Sequence, residues 1–408
     1  MLKEILDSAK LEPSFCASLL GIAPDQFAEW VSGVKPVPSF VLPELSTILG
    51  VPESVLTERR KRKYTDDSLL APAIWFKLRD DRLLQADRET VGLIRKLGFY
   101  IGTLHRVTGE CPLAYRSHFR EIRATVKVTA PPSQQGRDGA RLFRNLTGLS
   151  HGKEGIGEIL RPCLRNAGLL VVESPLPKSE VEGCAFNVGS DENLTPCLYT
   201  NTFKSTWFRR NLTLCHELAH AIFDLDSEQF MADFLGEDGK TLQELRAAAF
   251  ALECLLPKAV LIHLQNQLGI DWENLNEKQL AMLVARSHVE QNVVLSAALA
   301  AELIEMDRYE LYSGMKIGEL LKGISEHALS TSDYLKQVAA TSPLWVSENR
   351  TANLGLRRLR LPAGYVKRVL EARDEGLISN RKAAEMVMMD FDVFEHRFPI
   401  GEQALDVA

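Results

Sequence analysis

The apolar positions of the chain change their period along its length, and those changes divide it into blocks. Residues 11–56, LEPSFCASLLGIAPDQFAEWVSGVKPVPSFVLPELSTILGVPESVL, alternate helical apolar spacing with Gly, Pro and Ser punctuation. This predicts a run of short helices. TERRKRKYTDD (57–67) has no apolar period and reads as a charged connector. Residues 72–107 predict a short extended piece and then one long amphipathic helix. Leu83, Leu84, Val91, Leu93, Ile94 and Leu97 lie on or near its apolar face. TAPPSQQGRDG (129–139) reads as a Pro/Gly/Gln linker and as the clearest boundary in the chain.

From about residue 140 the pattern changes. GIGEILRPCLRNAGLLVVES reads as helix then strand, and GCAFNV and PCLYTNT as two further short strands. WFRRNLTLCHELAHAIFDL predicts a helix, and TLQELRAAAFALECLLP another that stops at Pro257. Beyond 258 the periodicity is mostly helical. The expected fold is α+β, with a small antiparallel or mixed sheet beside a central helix and all-α regions on either side. The expected divisions are 1–57, 58–139, 140–305 and 306–408.

Composition narrows the class. Of 408 residues 45% are hydrophobic and 25% charged, the balance of an ordinary globular protein. No run of eighteen apolar residues is present, and MLKEILDSAKLEPSF has no apolar h-region. Seven scattered cysteines fit free thiols in a reducing compartment, so a cytoplasmic location is expected. The net charge of −6 hides an asymmetry. Residues 1–56 carry three Lys against seven Asp/Glu, whereas 57–130 carry sixteen Lys/Arg against nine Asp/Glu.

The chemistry concentrates in RRNLTLCHELAHAIFD (209–224). On a helix, positions i and i+4 share a face, so His216 and His220 can direct both imidazoles at one ion. Glu217 follows about 100° round the helix, beside that ion. Zinc lowers the pKa of water toward neutrality, and a carboxylate there can accept the proton and return it to a leaving amine. A third protein ligand is required to leave one position open. One known pattern places Gly three and His or Asp six residues after the second His. Here those places hold Phe223 and Asp226. The other draws a glutamate from a later helix, where Glu244 and Glu253 are available.

RRNLTLCHELAH, followed by Glu244, Ala247, Phe250 and Ala251 and then CLLP, resembles the ImmA/IrrE metallopeptidases. GCAFNVGSDENLTPCLYTNT looks like the sheet that precedes the motif in that family. The resemblance covers about residues 140–300. It implies a gluzincin-like fold, Zn2+ as cofactor, His216, His220 and Glu244 as ligands, and Glu217 as base. Arg246 stands where many members carry a second acid, which keeps Asp226 and Glu253 open as alternatives. FCASLLGIAPDQFAEWVSG and VPSFVLPELSTILGV resemble the helix-turn-helix domain of lambda-repressor-like regulators. The helix near Ala23 to Val31 would be the DNA reader, but it offers Asp25, Gln26 and Glu29 and no cation.

The family resemblance implies cleavage of a repressor encoded nearby, which derepresses stress, DNA-damage, mobile-element or anti-phage genes. Two features suggest control. Cys111, in VTGECPLAY, is a loop thiol able to occupy an open zinc position and hold the enzyme latent. Arg79, Arg82, Arg88, Arg95 and Lys96, interleaved with aromatics, suit single-stranded DNA as an effector. A homodimer is a further expectation. The rival reading is a DNA-binding regulator that uses the peptidase fold as a non-catalytic scaffold.

Overall fold

The computed structural model describes residues 2–8, 11–57, 85–109, 114–149, 155–174, 181–188, 195–202, 205–225, 230–234, 241–328, 346–349, 357–361 and 363–399. The N-terminal part is five helices: α1 (Leu2–Ser8), α2 (Pro13–Leu20), α3 (Pro24–Val31), α4 (Leu42–Leu49) and α5 (Glu53–Thr57). Proline opens α2 and α3, where its missing N–H is an orphan anyway. Gly21 ends α2 at φ 67°, a conformation that favours glycine. Cys16, Phe27, Trp30 and Leu45 close the core of this unit. Asp25 and Gln26 of α3 face solvent.

Two long helices follow, α6 (Gln85–Thr108) and α7 (Ala114–Thr125), then α8 (Pro132–Leu146). The expected linker at 129–139 is therefore corrected. Pro132 is a helix-starting proline at the first position of α8. Gly136 and Gly139 are packing residues. A Cβ on Gly136 would lie 2.2 Å from the Arg246 carbonyl oxygen, and one on Gly139 2.5 Å from Phe223 Cζ.

The central block is α9 (Gly157–Asn166), β1 (Leu170–Ser174), β2 (Val181–Val188), β3 (Thr195–Asn201), α10 (Trp207–Phe223), β4 (Phe230–Phe234) and α11 (Leu242–Leu255). The strands form one mixed sheet in the order β1-β3-β2-β4. β1 runs parallel to β3, and β2 is antiparallel to both β3 and β4. The sheet is apolar on both faces, as strand alternation allows. Val171, Ala185 and Leu198 face a large core with α7–α11 and the helices that follow. Val172, Cys184, Phe186, Cys197 and Tyr199 face a second core with α6 and the C-terminal helices. Phe99 of α6 packs against this second core and against the N-terminal one.

After α11 come α12 (Lys258–Leu268), α13 (Glu277–Ser287), α14 (Gln291–Ala300), α15 (Met306–Ser313) and α16 (Gly318–Ile324). The stretch Leu242–Leu268 is long and apolar enough by composition to cross a membrane. It consists of α11 and α12, separated at Pro257, and half of it is buried in the core. The chain continues through β5 (Val346–Asn349) and β6 (Arg357–Arg360) to α17 (Ala363–Asp374), α18 (Asn380–Met386) and α19 (Phe391–Arg397). The C-terminal region is thus not all-α, because β5 and β6 pair antiparallel. Arginine density in LRRLRL hid that strand from a reading by hydrophobic period.

Gly136 makes the α8–α11 contact testable. A methyl at Gly136 meets backbone rather than a flexible side chain, so the two helices must separate. Gly136→Ala is expected to destabilise the protein by about 1–3 kcal/mol, read as a lower urea midpoint. An unchanged midpoint would mean that the close approach does not exist in solution.

Candidate metal centre

α10 begins at Thr206, whose hydroxyl accepts from the Arg209 N–H as an N-cap. The helix lies between the sheet and α11. It is buried on most of its surface, which explains an apolar pattern interrupted by polar residues. Glu217 and His220 are each 0% exposed, whereas His216 keeps partial access to solvent. α11 begins at Thr241, whose hydroxyl accepts from the Glu244 N–H. TLQE is a capping-box sequence, in which the glutamate would normally turn back to its own cap. Here the Glu244 carboxylate reaches the histidines instead.

His216 Nε2 lies 3.0 Å from Glu244 Oε2 and 3.0 Å from His220 Nε2. His220 Nε2 lies 3.4 Å from Glu244 Oε1. The ligand atoms of these three residues fall within 4.8 Å of one another, and among the described residues this is the one group able to hold a metal. Burial by itself would raise the Glu244 carboxyl. Hydrogen bonds from His216 and His220, with their coulombic attraction, outweigh it and hold the group well below the usual carboxylate range. Two imidazole nitrogens and one ionised carboxylate are a donor set that zinc accepts.

Glu217 sits on the sheet side of α10. Gly183 of β2 makes room for it, since a Cβ there would lie 2.6 Å from Glu217 Oε1 and 2.5 Å from Thr213 Cγ2. Next to it, Glu182 is fixed by Arg209 at 2.5 Å and by the Thr213 hydroxyl at 3.3 Å.

Around the trio stands a residue that sequence reading passed over. Asp224 Oδ2 is 2.9 Å from His220 Nδ1, and its side chain is 3% exposed. Arg246 Nη2 binds the other oxygen, Oδ1. A carboxylate on the far nitrogen of a metal-binding histidine orients the ring and its tautomer. The signal for Asp224 was present, because it stands four residues after His220 on the same helical face.

The other sequence candidates separate clearly. Glu253 pairs with Arg141 of α8 at 2.8 Å and has no place in the trio. Asp226, Cys111, Arg79 and Arg82 lie outside the described residues, and so do the side chains of Arg88 and Arg95. Lys96 corrects the expectation of a nucleic-acid contact. It is 4% exposed, burial lowers its pKa, and Glu53 and Glu385 act on it from the N- and C-terminal regions. The neighbouring aromatics Tyr100, Tyr115 and Phe119 are core residues and offer no stacking platform.

A histidine pair at helical spacing and a glutamate from the next helix, with a mixed sheet behind them, form a group that can hold a metal ion. Residues 164–289 match the model of the IrrE N-terminal-like domain, Peptidase M78. The match spans α10 and α11 entirely and is consistent with a zinc-dependent peptidase of the ImmA/IrrE kind. No curated protein and no solved structure matches the chain.

The separation of Glu244 from Glu253 gives a direct test. The purified chain is expected to hold about one zinc. Glu244→Ala should lose most of it after dialysis, whereas Glu253→Ala should keep it, measured by elemental analysis. Equal retention in both variants would remove Glu244 from the ligand set.

Proposed function

We propose that the chain is a zinc-dependent endopeptidase with His216, His220 and Glu244 as metal ligands and Glu217 as general base. The observation that carries this reading is the convergence of His216 and His220 of α10 with Glu244 of α11, with Glu217 buried on the same helix as the histidines. A zinc ion held there would polarise a peptide carbonyl and make water more acidic. Glu217 takes the proton of the attacking water and delivers it to the leaving nitrogen. Gly183 of β2 leaves the space that its carboxylate occupies. Asp224 holds His220, and Glu244 lies against both histidines with its carboxyl held well below the usual carboxylate range.

The substrate we propose is a transcriptional repressor encoded beside the gene, whose loss switches on stress, mobile-element or defence functions. Its recognition falls to parts outside the metal centre. The N-terminal helices present Asp25 and Gln26 to solvent, which favours docking to protein over docking to DNA. Single-stranded DNA remains the effector proposed for the basic segment, now without Lys96. Cys111 remains the residue proposed to restrain the enzyme, and its release is the step the effector would trigger.

The deciding experiment mixes the purified chain with the neighbouring repressor, with and without single-stranded DNA. Wild type is expected to cleave it. Glu217→Gln, with zinc still bound, should be slower by about 100-fold or more. Cys111→Ser should cleave without DNA. Equal cleavage by wild type and Glu217→Gln would exclude Glu217 as the base. No cleavage in any lane with zinc bound would count against the repressor as substrate.

A further inference from the structure

The polar chain that starts at His220 does not end at Asp224. Arg246 Nη2 binds Asp224 Oδ1, and Arg246 Nη1 lies 3.2 Å from Gln135 Oε1. Gln135, on α8, donates from Nε2 to the carbonyls of Val128 at 3.0 Å and Ala130 at 2.7 Å. That double donation fixes which end of the amide faces Arg246. The Arg246 guanidinium also lies 5.0 Å from the centroid of the Phe223 ring. It is thus held by the three helices that meet behind the site.

We propose that Arg246, seated by Gln135, is a positioning residue for the metal ligand His220. The inference rests on the metal-centre reading given above. A buried carboxylate needs partners for both oxygens, or it turns to find them. Arg246 occupies Oδ1 and leaves Oδ2 aimed at His220 Nδ1. With Nδ1–H donating to Asp224, the lone pair of His220 is on Nε2, which faces His216 and Glu244. Only a planar fork can bridge Asp224 and Gln135 with separate nitrogens, so lysine is not an equivalent. Gln135 lies before the segment that matches the peptidase family, so the seat comes from a part of the chain outside the match.

The test uses the full chain, zinc and cobalt alone as probes, and no substrate. Zinc affinity is measured by competition with a chromophoric chelator, and ligand geometry by the visible absorption of the cobalt form. Arg246→Met is expected to bind zinc about 10–100-fold more weakly and to alter the cobalt spectrum. Arg246→Lys should fall between it and wild type. Asp224→Asn should match or exceed the loss, and the double variant should add little to it. A role confined to packing would lower the melting temperature of the metal-free protein and leave zinc affinity and the cobalt spectrum as in wild type. Zinc affinity within twofold of wild type in Arg246→Met, with an unchanged spectrum, overturns the proposal. If that variant does not fold, Gln135→Ala and Arg246→Lys are judged by the same criterion. A wild-type chain that takes up neither metal overturns the metal-centre reading and this proposal together. Loss of the Arg246 effect alone leaves the metal centre standing.

Discussion

The site depends on α11 lying close enough to α10 for one carboxylate to reach two imidazoles. Glu244 is in the first turn of its helix and has a short side chain. A modest outward shift of α11 would withdraw it from His216 and His220. The distance is set by residues that touch no metal. Gly136 and Gly139 let α8 approach the Arg246 backbone and the Phe223 ring without a side chain between them. Phe250 of α11 meets both Phe143 of α8 and Phe223 of α10, with ring centroids 6.3 Å apart in each case. Interiors packed this closely transmit displacement, so the metal centre takes its geometry from an apolar wedge.

The second constraint is charge in a dry place. α10 buries Arg210, Glu217 and His220. A buried charge is tolerated when partners surround it, and the helix is arranged accordingly. Arg161 grips Glu173 with two nitrogens, at 2.6 and 2.7 Å, and Arg210 approaches the same carboxylate at 3.7 Å. Arg144 of α8 donates to the carbonyls of Cys254 and Leu149, which ties α8 to the far end of α11. Such paired contacts hold their side chains in one arrangement. The ligands therefore inherit order from neighbours that carry no catalytic chemistry.

How much of this was legible follows from the range over which each signal acts. The His216–Glu217–His220 helix is a local pattern with a fixed period, and the sequence carries it directly, whereas period alone left Glu244 and Glu253 of α11 both open and only the family resemblance favoured Glu244. Three strands were visible for the same reason. β4 was not, since its place at the sheet edge is defined by its pairing with β2. The segment 129–139 misled because glycine and proline have two uses. Pro132 starts a helix, Gly136 vacates space for the backbone of α11, and Gly139 vacates space for the Phe223 ring of α10. Lys96 misled because charge reads as exposure, and nothing local says that it is buried with Glu385, far along the chain, acting on its charge. Asp224 was within reach of the helical period. Its link to Arg246 and Gln135 was not, because it needs three helices in place.

These dependencies bear on what the matched segment can be. Residues 164–289 contain the ligands but not α8, against which α11 packs. They contain the sheet but not α6, α17 or α18, which supply Leu97, Tyr100, Val369 and Met386 to its second face. Cut to the match alone, the sheet would present Cys184, Phe186, Cys197 and Tyr199 to water, an apolar patch of the kind that drives association. The physical unit that holds the His216–His220–Glu244 group therefore begins no later than α6 and takes in the C-terminal helices. Phe99 extends that unit to the N-terminal helices, because it packs on their core as well as on the sheet's. α6 in turn rests directly on the sheet whose β2 carries Gly183 behind Glu217.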